Sequence, residues 1–457
     1  MNKSAEEASE HIFNRLLEDI KPSPEEVEDT TLKVNRLMEL LEKIVPKDVE
    51  LRVAGSVARG TNLKGDADID IFMLFNKKYT RERLVKLGLE YGKKATQRSK
   101  GSYEIKYAEH PYIRLYLDSI GVKADIVPAS RIFSIDEMVT TVDRTPLHTE
   151  FINANLTSRQ RDEVRLLKYL LKAHNIYGAE VRTGGFSGYL CELLVFHYGS
   201  MAKVLDAASK FKLPLMIDPK VRKELTDQSL IKKFNSDFIV IDPVDKDRNV
   251  AAGVSHESLG RLSVVARQFI YKPSINLFYK GKFSSDKANS LISRFLKDSG
   301  LETFAIEAQV PDKSEDITFP QLRKVSKYVE DHLQRKGFSV YLNMQLIKGR
   351  KALILMMAPQ QRLTSRLLKG PNVFVEGASR QFVEKHKSAL GFSVNDSTIY
   401  ALEKSRHPDI ESELRDFTKT MKIHKDISLK RSKIIRNKIP KDFVFDIYAE
   451  LLKKLNI

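Results

Sequence analysis

Two carboxylates at alternate positions of an otherwise apolar run restrict what this chain can fold into. In Ala67-Asp68-Ile69-Asp70-Ile71-Phe72 the period of two is that of a strand, whose successive side chains point to opposite faces. Ile69 and Ile71 then enter a core, while Asp68 and Asp70 stand together on the other face. Two such carboxylates repel unless a cation lies between them. The pattern returns in Val122-Lys123-Ala124-Asp125-Ile126-Val127, where Asp125 faces one way and Ala124 and Ile126 the other. A carboxylate inside an apolar strand is costly to bury without a charge partner.

The surrounding sequence reads as a mixed sheet with helices. Ile12, Phe13, Leu16, Leu17 and Ile20 recur at helical spacing. Ser23-Pro24-Glu25-Glu26 marks a second helix start, with Ser23 as N-cap and Glu26 as its capping-box partner. Val49, Leu51 and Val53 form a first strand that ends at Gly55-Ser56. The second strand runs 68–74, and the third runs 122–127 and closes at Pro128; Lys-, Glu- and Leu-rich segments lie between them. From Ser158 to about Ala208 the spacing is helical again, broken at Gly184-Gly185, and it resumes at Leu259–Ile270. Strands are expected at 304–309, 339–346 and 352–357, with a helix at 321–336; the remainder reads as polar and helical, with a basic run from Lys419 to Lys441. Three domains follow, over 1–150, 151–272 and 273–457.

Gly55-Ser56 supplies what a triphosphate needs. A glycine turn after a strand lets backbone N–H groups approach phosphate oxygens. The Ser56 hydroxyl adds a donor and Arg59 a fixed positive charge. Hard carboxylate oxygens suit Mg²⁺, which commonly takes one or two carboxylates together with substrate phosphates. With Asp125 as third acid, Asp68 and Asp70 would complete a two-metal site, whose reaction class is nucleotidyl transfer. No P-loop, no dinucleotide-binding Gly-x-Gly-x-x-Gly and no His-Glu-x-x-His occur, and the 10 histidines are scattered.

Composition narrows the setting. A net charge of +17, from 77 Lys and Arg against 60 Asp and Glu, favours a polyanionic partner such as nucleic acid. The single cysteine, Cys191, excludes an internal disulfide framework and fits a reducing compartment. An acidic N-terminus and the lack of a bilayer-length apolar run suggest a soluble, cytoplasmic protein without membrane contact.

The run Gly55-Ser56…Arg59-Gly60-Thr61…Asp68-Ile69-Asp70 resembles the signature of the DNA polymerase β-type nucleotidyltransferases. Arg144–Thr149, Leu166–Lys172, Gly185–Leu193 and Ile241–Ala252 resemble the archaeal-type (class I) CCA-adding tRNA nucleotidyltransferases in order and spacing. The resemblance spans nearly the whole chain and is weakest in its last third. It implies an α+β multidomain fold: a polymerase β-like mixed sheet with helices, a helical central domain that closes over the nucleotide, and a C-terminal α+β region for RNA. It implies Asp68, Asp70 and Asp125 as catalytic metal ligands for Mg²⁺, and Ser56, Arg59, Lys168 and Tyr177 as triphosphate ligands. His148 would lie against the nucleotide and Arg248 would help read its base edge.

The implied substrates are CTP, ATP and tRNA, gripped at the acceptor stem and TΨC arm. A homodimer stays open. A poly(A) polymerase or an oligoadenylate synthetase-like enzyme shares the Gly-Ser and Asp-x-Asp elements, and a decayed RNA-binding scaffold would lack a carboxylate. Each residue also has a plainer reading. Lys168 with Arg165 and Lys172 would make a solvated helix face, Tyr177 a core cap and His148 a loop residue. Arg248 would sit in a surface ion-pair turn with Asp242, Asp245 and Asp247. Gly185–Leu193 is assigned packing and no chemistry.

Overall fold

The computed structural model describes residues 3–455, apart from 108, 222, 226, 280–284, 421–426, 428, 430 and 431. They form two compact units that divide between Lys280 and Gly281.

The first unit opens with α1 (Lys3–Ile20) and α2 (Pro24–Glu42). Ser23 caps α2 as its sequence predicts. Its hydroxyl accepts from the Glu26 amide at 3.2 Å, and its own amide donates to the Glu26 carboxylate at 2.8 Å. There follow β1 (Glu50–Ala54), the four-residue helix α3 (Gly55–Ala58), β2 (Ile69–Phe75), α4 (Arg81–Arg98), β3 (Ser102–Tyr107), β4 (Pro111–Leu117) and β5 (Val122–Ser130). The strands make one sheet in the order β1-β2-β5-β4-β3, in which β2 and β5 are parallel and the other pairs antiparallel.

β2 is apolar on both faces because both are covered. Ile69, Ile71, Met73 and Phe75 share a core with Val34, Leu37 and Leu41 of α2 and with Leu84, Tyr91 and Ala95 of α4. On the opposite face, Phe72 and Leu74 pack with Ala54 and Ala129. Each large buried side chain contributes about 1.5–3 kcal/mol, so the strand tolerates one acid, Asp70, near its start. α4 lies close on the sheet: a Cβ on Gly92 would stand 2.3 Å from Ile113 Cγ2.

Two features of this sheet differ from the sequence reading. β3 and β4 occupy a stretch read only as rich in Lys, Glu and Leu. β5 continues through Pro128 to Ser130, because its pairing with β4 ends at Ile126; beyond that point a strand tolerates a missing N–H.

The rest of the unit is α5 (Thr145–Asn155), α6 (Ser158–Ala173), α7 (Gly188–Tyr198), α8 (Met201–Ser209), β6 (Leu215–Asp218), β7 (Lys223–Glu224), α9 (Ser229–Phe234), β8 (Phe238–Val240) and α10 (His256–Tyr271). One core joins Leu167 and Leu170 of α6, Leu190 and Leu194 of α7, Leu262 and Phe269 of α10 and, from α1, Phe13, Leu16 and Ile20. Phe13 stacks on Phe269 with ring centroids 5.6 Å apart, so the N-terminal helix packs with these helices. A small sheet, β7-β6-β8, is added to the expected helices; its apolar runs are too short to show a period.

The second unit contains α11 (Ser285–Ser299), β9 (Leu301–Gln309), α12 (Glu315–Arg335), β10 (Leu342–Lys348), β11 (Lys351–Pro359), β12 (Ser365–Asn372), α13 (Glu376–Lys385), β13 (Gly391–Asn395), β14 (Thr398–Lys404), α14 (Ile410–Thr420), β15 (Lys433–Arg436) and α15 (Val444–Leu455). A four-stranded sheet, β10-β11-β9-β15, is covered on both faces. Ile354 and Met356 face Leu322 and Val325 of α12 and Leu414 of α14, while Leu353 and Leu355 face Ile292 of α11 and Ile447 of α15. That double cover explains the unbroken apolar run of β11. The remainder is not simply helical: β12, β14 and β13 form a second sheet. In the basic run Lys419–Lys441, residues 421–426, 428, 430 and 431 lie outside the described residues, and β15 places Lys433–Arg436 in a strand. No helix among the described residues is long and apolar enough to cross a membrane.

Candidate active site

The register of the first sheet brings the acids together. Asp70 of β2 pairs directly with Asp125 of β5, and Ala54, just before α3, pairs with Asp70 from the other side. Asp68 stands one residue before β2. Each acid has different company. Asp125 accepts two hydrogen bonds from Arg114 of β4, at 2.6 and 2.7 Å. Asp68 is more than half exposed and accepts from Lys123 Nζ at 3.0 Å.

Asp70 makes no ion pair among the described residues. Loss of solvent, joined by the charges of Asp125 and Asp68, pushes its carboxyl up to about 7 against the opposing pull of Arg59 and Arg114. Gly55 lies directly over it, at φ +73°, where a Cβ would stand 1.9 Å from Asp70 Oδ2.

This trio fits a divalent cation by its chemistry. The donors are hard oxygens, and the carboxylate repulsion that suppresses the charge of Asp70 is what a cation relieves. Among the described residues, however, no three His, Cys, Asp or Glu side chains converge as an ion cage. Arg114 and Lys123 draw Asp125 and Asp68 to themselves, so an ion would compete with both.

A second cluster gathers Arg59, Lys168 and Tyr177. Arg59 follows α3 and is buried; its Nε lies 2.8 Å from Glu192 Oε2, and its guanidinium donates to Thr149 Oγ1 at 3.4 Å. Lys168 is buried too, donating to the Thr61 carbonyl at 3.0 Å and lying 3.8 Å from Glu192. The Thr61 hydroxyl donates to Glu192 at 2.5 Å, and the Thr61 amide donates to the Ser56 carbonyl at 2.9 Å. A Cβ on Gly188 would stand 3.1 Å from the Tyr177 hydroxyl and 3.5 Å from Lys168 Nζ, so Tyr177 borders the same group.

The solvated-face reading of α6 is corrected. Arg165 is buried as well, donating to the Gly60 carbonyl at 2.6 Å and the Asn62 carbonyl at 2.8 Å. Of the three basic residues only Lys172 is open, paired with Asp66.

A third group centres on Asp242, which is 1% exposed. His148 Nε2 lies 2.8 Å from Asp242 Oδ2 and Arg248 donates to the same oxygen at 2.9 Å. The Tyr189 hydroxyl and the Val244 amide both donate to Oδ1, at 3.0 Å. Burial pushes the Asp242 carboxyl up, but His148, Val244 and Arg248 together outweigh it and leave it at about 2. Burial also holds His148 below its ordinary value, and its ring stacks on Tyr189 at 4.1 Å. His148 is therefore no loop residue but part of α5.

Nor do the acids around Arg248 make one surface turn. Asp245 pairs with Arg144 at 2.7 Å and Asp247 with Lys233 at 2.6 Å. Beside Arg248 opens a cavity of about 790 Å³ lined by Met138, Arg144, Ser187, Asp245 and Asn249, among others.

The sequence reading did not single out Arg114, Lys123, Thr61, Glu192 or Arg144. Arg114 had a signal: Ile113, Leu115 and Leu117 alternate with it as a half-buried strand does. Glu192, inside a continuous apolar helix, had none beyond its oddity there.

Three comparisons agree in sequence order. Residues 34–146 match the profile of a nucleotidyltransferase domain, 162–279 that of the tRNA nucleotidyltransferase second domain, and 299–436 that of the CCA-adding enzyme C-terminal domain. The chain is 34% identical to the CCA-adding enzyme of Methanocaldococcus jannaschii, over 93% of this chain and 95% of that one. It is 36% identical to that of Pyrococcus abyssi, over 84% and 88%. Among solved structures it is similar to the Cid1 poly(U) polymerase, at 16% identity and TM-score 0.49, over 62% of this chain and 100% of that one; that likeness carries no inference about substrate.

Proposed function

The chain belongs to the CCA-adding enzymes, and from that premise we propose that it adds C, C and A in turn to the 3′ end of tRNA. CTP and ATP are the donors, no template is used, and diphosphate leaves. The observation that carries this reading is the 34% identity over 93% of the chain to a CCA-adding enzyme.

In the transfer, the 3′-hydroxyl oxygen of the RNA bonds to the α-phosphorus and the bond from that phosphorus to the diphosphate oxygen breaks. The hydroxyl proton leaves toward the carboxylate face. Asp68, Asp70 and Asp125 would hold Mg²⁺, which when bound supplies charge to the attacking and leaving oxygens. The chain contributes position and fixed charge. Arg59 and Lys168, with Ser56 and Tyr177 beside them, hold the triphosphate. His148, its basicity lowered by burial and its ring braced by Tyr189, packs against the nucleotide. Arg248, kept in place by Asp242, presents donors to the base edge in the adjoining cavity.

The expected organisation is catalytic over 1–150, nucleotide-closing over 151–272 and tRNA-binding over 273–457. The last region takes the acceptor stem and TΨC arm; the +17 charge of the chain supports that grip. A fully buried thiol at Cys191 and the lack of any other cysteine support a cytoplasmic setting.

The test uses a tRNA transcript that ends at its discriminator base, with Mg²⁺ and CTP, ATP or both. Two additions from CTP alone, and a third only with ATP, are expected on a sequencing gel. A long ladder from ATP alone would replace this reading with poly(A) synthesis.

A further inference from the structure

Within Gly185–Leu193, a stretch to which the sequence assigns no chemistry, Glu192 is the one charged side chain. It is fully buried in α7, and its immediate neighbours along the chain are apolar. A buried charge is costly to maintain, and a whole buried ion cluster replaced by apolar residues of like volume is often no less stable. Packing alone does not call for a glutamate at this position.

What Glu192 touches is specific. It accepts from Arg59 Nε at 3.0 Å and from the Thr61 hydroxyl at 2.5 Å, and it lies 3.8 Å from Lys168 Nζ. Thr61 completes a circuit, because its hydroxyl also accepts from Lys168 at 3.1 Å. One anion thus serves two buried cations that arrive from different elements, Arg59 at the end of α3 and Lys168 from α6. One positive charge of the pair stays uncompensated. Burial lowers the proton affinity of Lys168 and the charge of Glu192 opposes that effect; Arg59 and Arg165 reinforce it, and the Cys191 thiol beside it opposes it when ionised. Without the glutamate, two cations would share one dry pocket, where each favours loss of the other's charge or its withdrawal.

We propose that Glu192 is a positioning residue for the incoming nucleotide: its carboxylate fixes Arg59 and Lys168 in the geometry that receives the triphosphate. This rests on the reading of Arg59 and Lys168 as triphosphate ligands. Glu192 itself touches no phosphate. It acts through the two cations, and through Thr61 on the loop that follows Ser56. Because the triphosphate is common to CTP and ATP, its removal weakens both nucleotides alike and leaves RNA binding alone.

The experiment is steady-state kinetics on the full chain with Glu192→Gln, which keeps shape and loses charge. KM for CTP and for ATP is expected to rise together by about 10- to 100-fold, the range of one charge-assisted contact. The kcat should stay within about threefold, with the tRNA dissociation constant unchanged. Thr61→Val, which removes only the bridging hydroxyl, should raise both KM values by a smaller factor, and it serves if Glu192→Gln does not fold. Unchanged KM values in the folded variants overturn the proposal. So does an equal loss of kcat and tRNA binding that tracks a lower melting temperature, since a purely structural tie would give that. A wild-type chain that adds no nucleotide would defeat the proposed function itself, whereas CCA addition by the wild type beside unchanged KM values in both variants defeats only the positioning by Glu192.

Discussion

Gly55→Ala separates the geometry of the carboxylate face from general stability. Gly55 sits at φ +73° with Asp70 directly beneath it. An alanine there meets two costs. Holding a side-chain-bearing residue in the left-handed region costs about 1–2 kcal/mol. In addition the new Cβ would stand 1.9 Å from Asp70 Oδ2, against an ordinary contact of 3.4 Å or more, so the carboxylate must retreat by about 1.5 Å at the proposed site of transfer. A misplacement on the order of 1 Å there costs about 100-fold in rate.

Gly65→Ala is the control. Its φ is +69°, so it meets the same backbone cost, but a Cβ there has nothing within 4 Å. Both variants should lose about 1–4 °C of melting temperature, at roughly 1–2 °C per kcal/mol once the unfolding entropy of about 2.1 cal/mol/K per residue is scaled to a chain of this size. Only Gly55→Ala should lose about 100-fold or more in single-turnover addition of C to a tRNA transcript at saturating CTP. If Gly55→Ala adds nucleotides as fast as Gly65→Ala, Asp70 is not where the transfer needs it and the site must be placed elsewhere.

Three further outcomes follow from the same geometry. Asp70→Asn should abolish nucleotide addition while tRNA affinity, read by filter binding, stays within a few-fold; retained activity would remove Asp70 from the site. Chelation of Mg²⁺ with EDTA should stop addition, and added Mg²⁺ should restore it without altering the melting profile, because the fold of the sheet rests on its two apolar cores. Asp242→Asn should cost about 2 kcal/mol at pH 7, since a carboxyl lowered from 3.8 to about 2 stabilises the folded state above its unfolded value. That contribution is lost as the pH falls toward 2, so the difference from wild type in denaturant melts should shrink to about half by pH 3. A difference independent of pH would mean that the carboxylate charge is not what holds His148 and Arg248.

The strands that carry the acids were legible because burial on both faces leaves an apolar run, and Asp70 and Asp125 interrupt it at the period of a strand. β3 carries a period of two, Tyr103, Ile105 and Tyr107 against Ser102, Glu104 and Lys106, but it is an edge strand exposed along most of its length, so neither face marks a core. β4 was legible in principle, since Ile113, Leu115 and Leu117 alternate with Tyr112, Arg114 and Tyr116. Arg165, Lys168 and Lys172 share a helix face and read as solvated because a helix pattern tells which residues lie together, not what they meet. Here Arg165 and Lys168 meet the loop after α3, whose Gly60, Asn62 and Thr61 carbonyls take them, while Lys172 pairs with Asp66. Glu192 and Asp242 depend wholly on partners distant in sequence, which no local period encodes.

The charges of the three clusters nearly cancel, and the remainder tells what the site lacks. Asp68 is matched by Lys123, Asp125 by Arg114 and Asp242 by Arg248. Glu192 is matched by one of Arg59 and Lys168. What is left is the negative charge that Asp70 holds reluctantly near neutral pH and one buried positive charge beside Glu192. These two cannot satisfy each other, because Asp70 forms no ion pair among the described residues and Arg59 is turned to Glu192. Under the proposed function a divalent cation would answer the first and a triphosphate the second. Each would also neutralise the other, so metal and nucleotide are expected to bind together in preference to either alone.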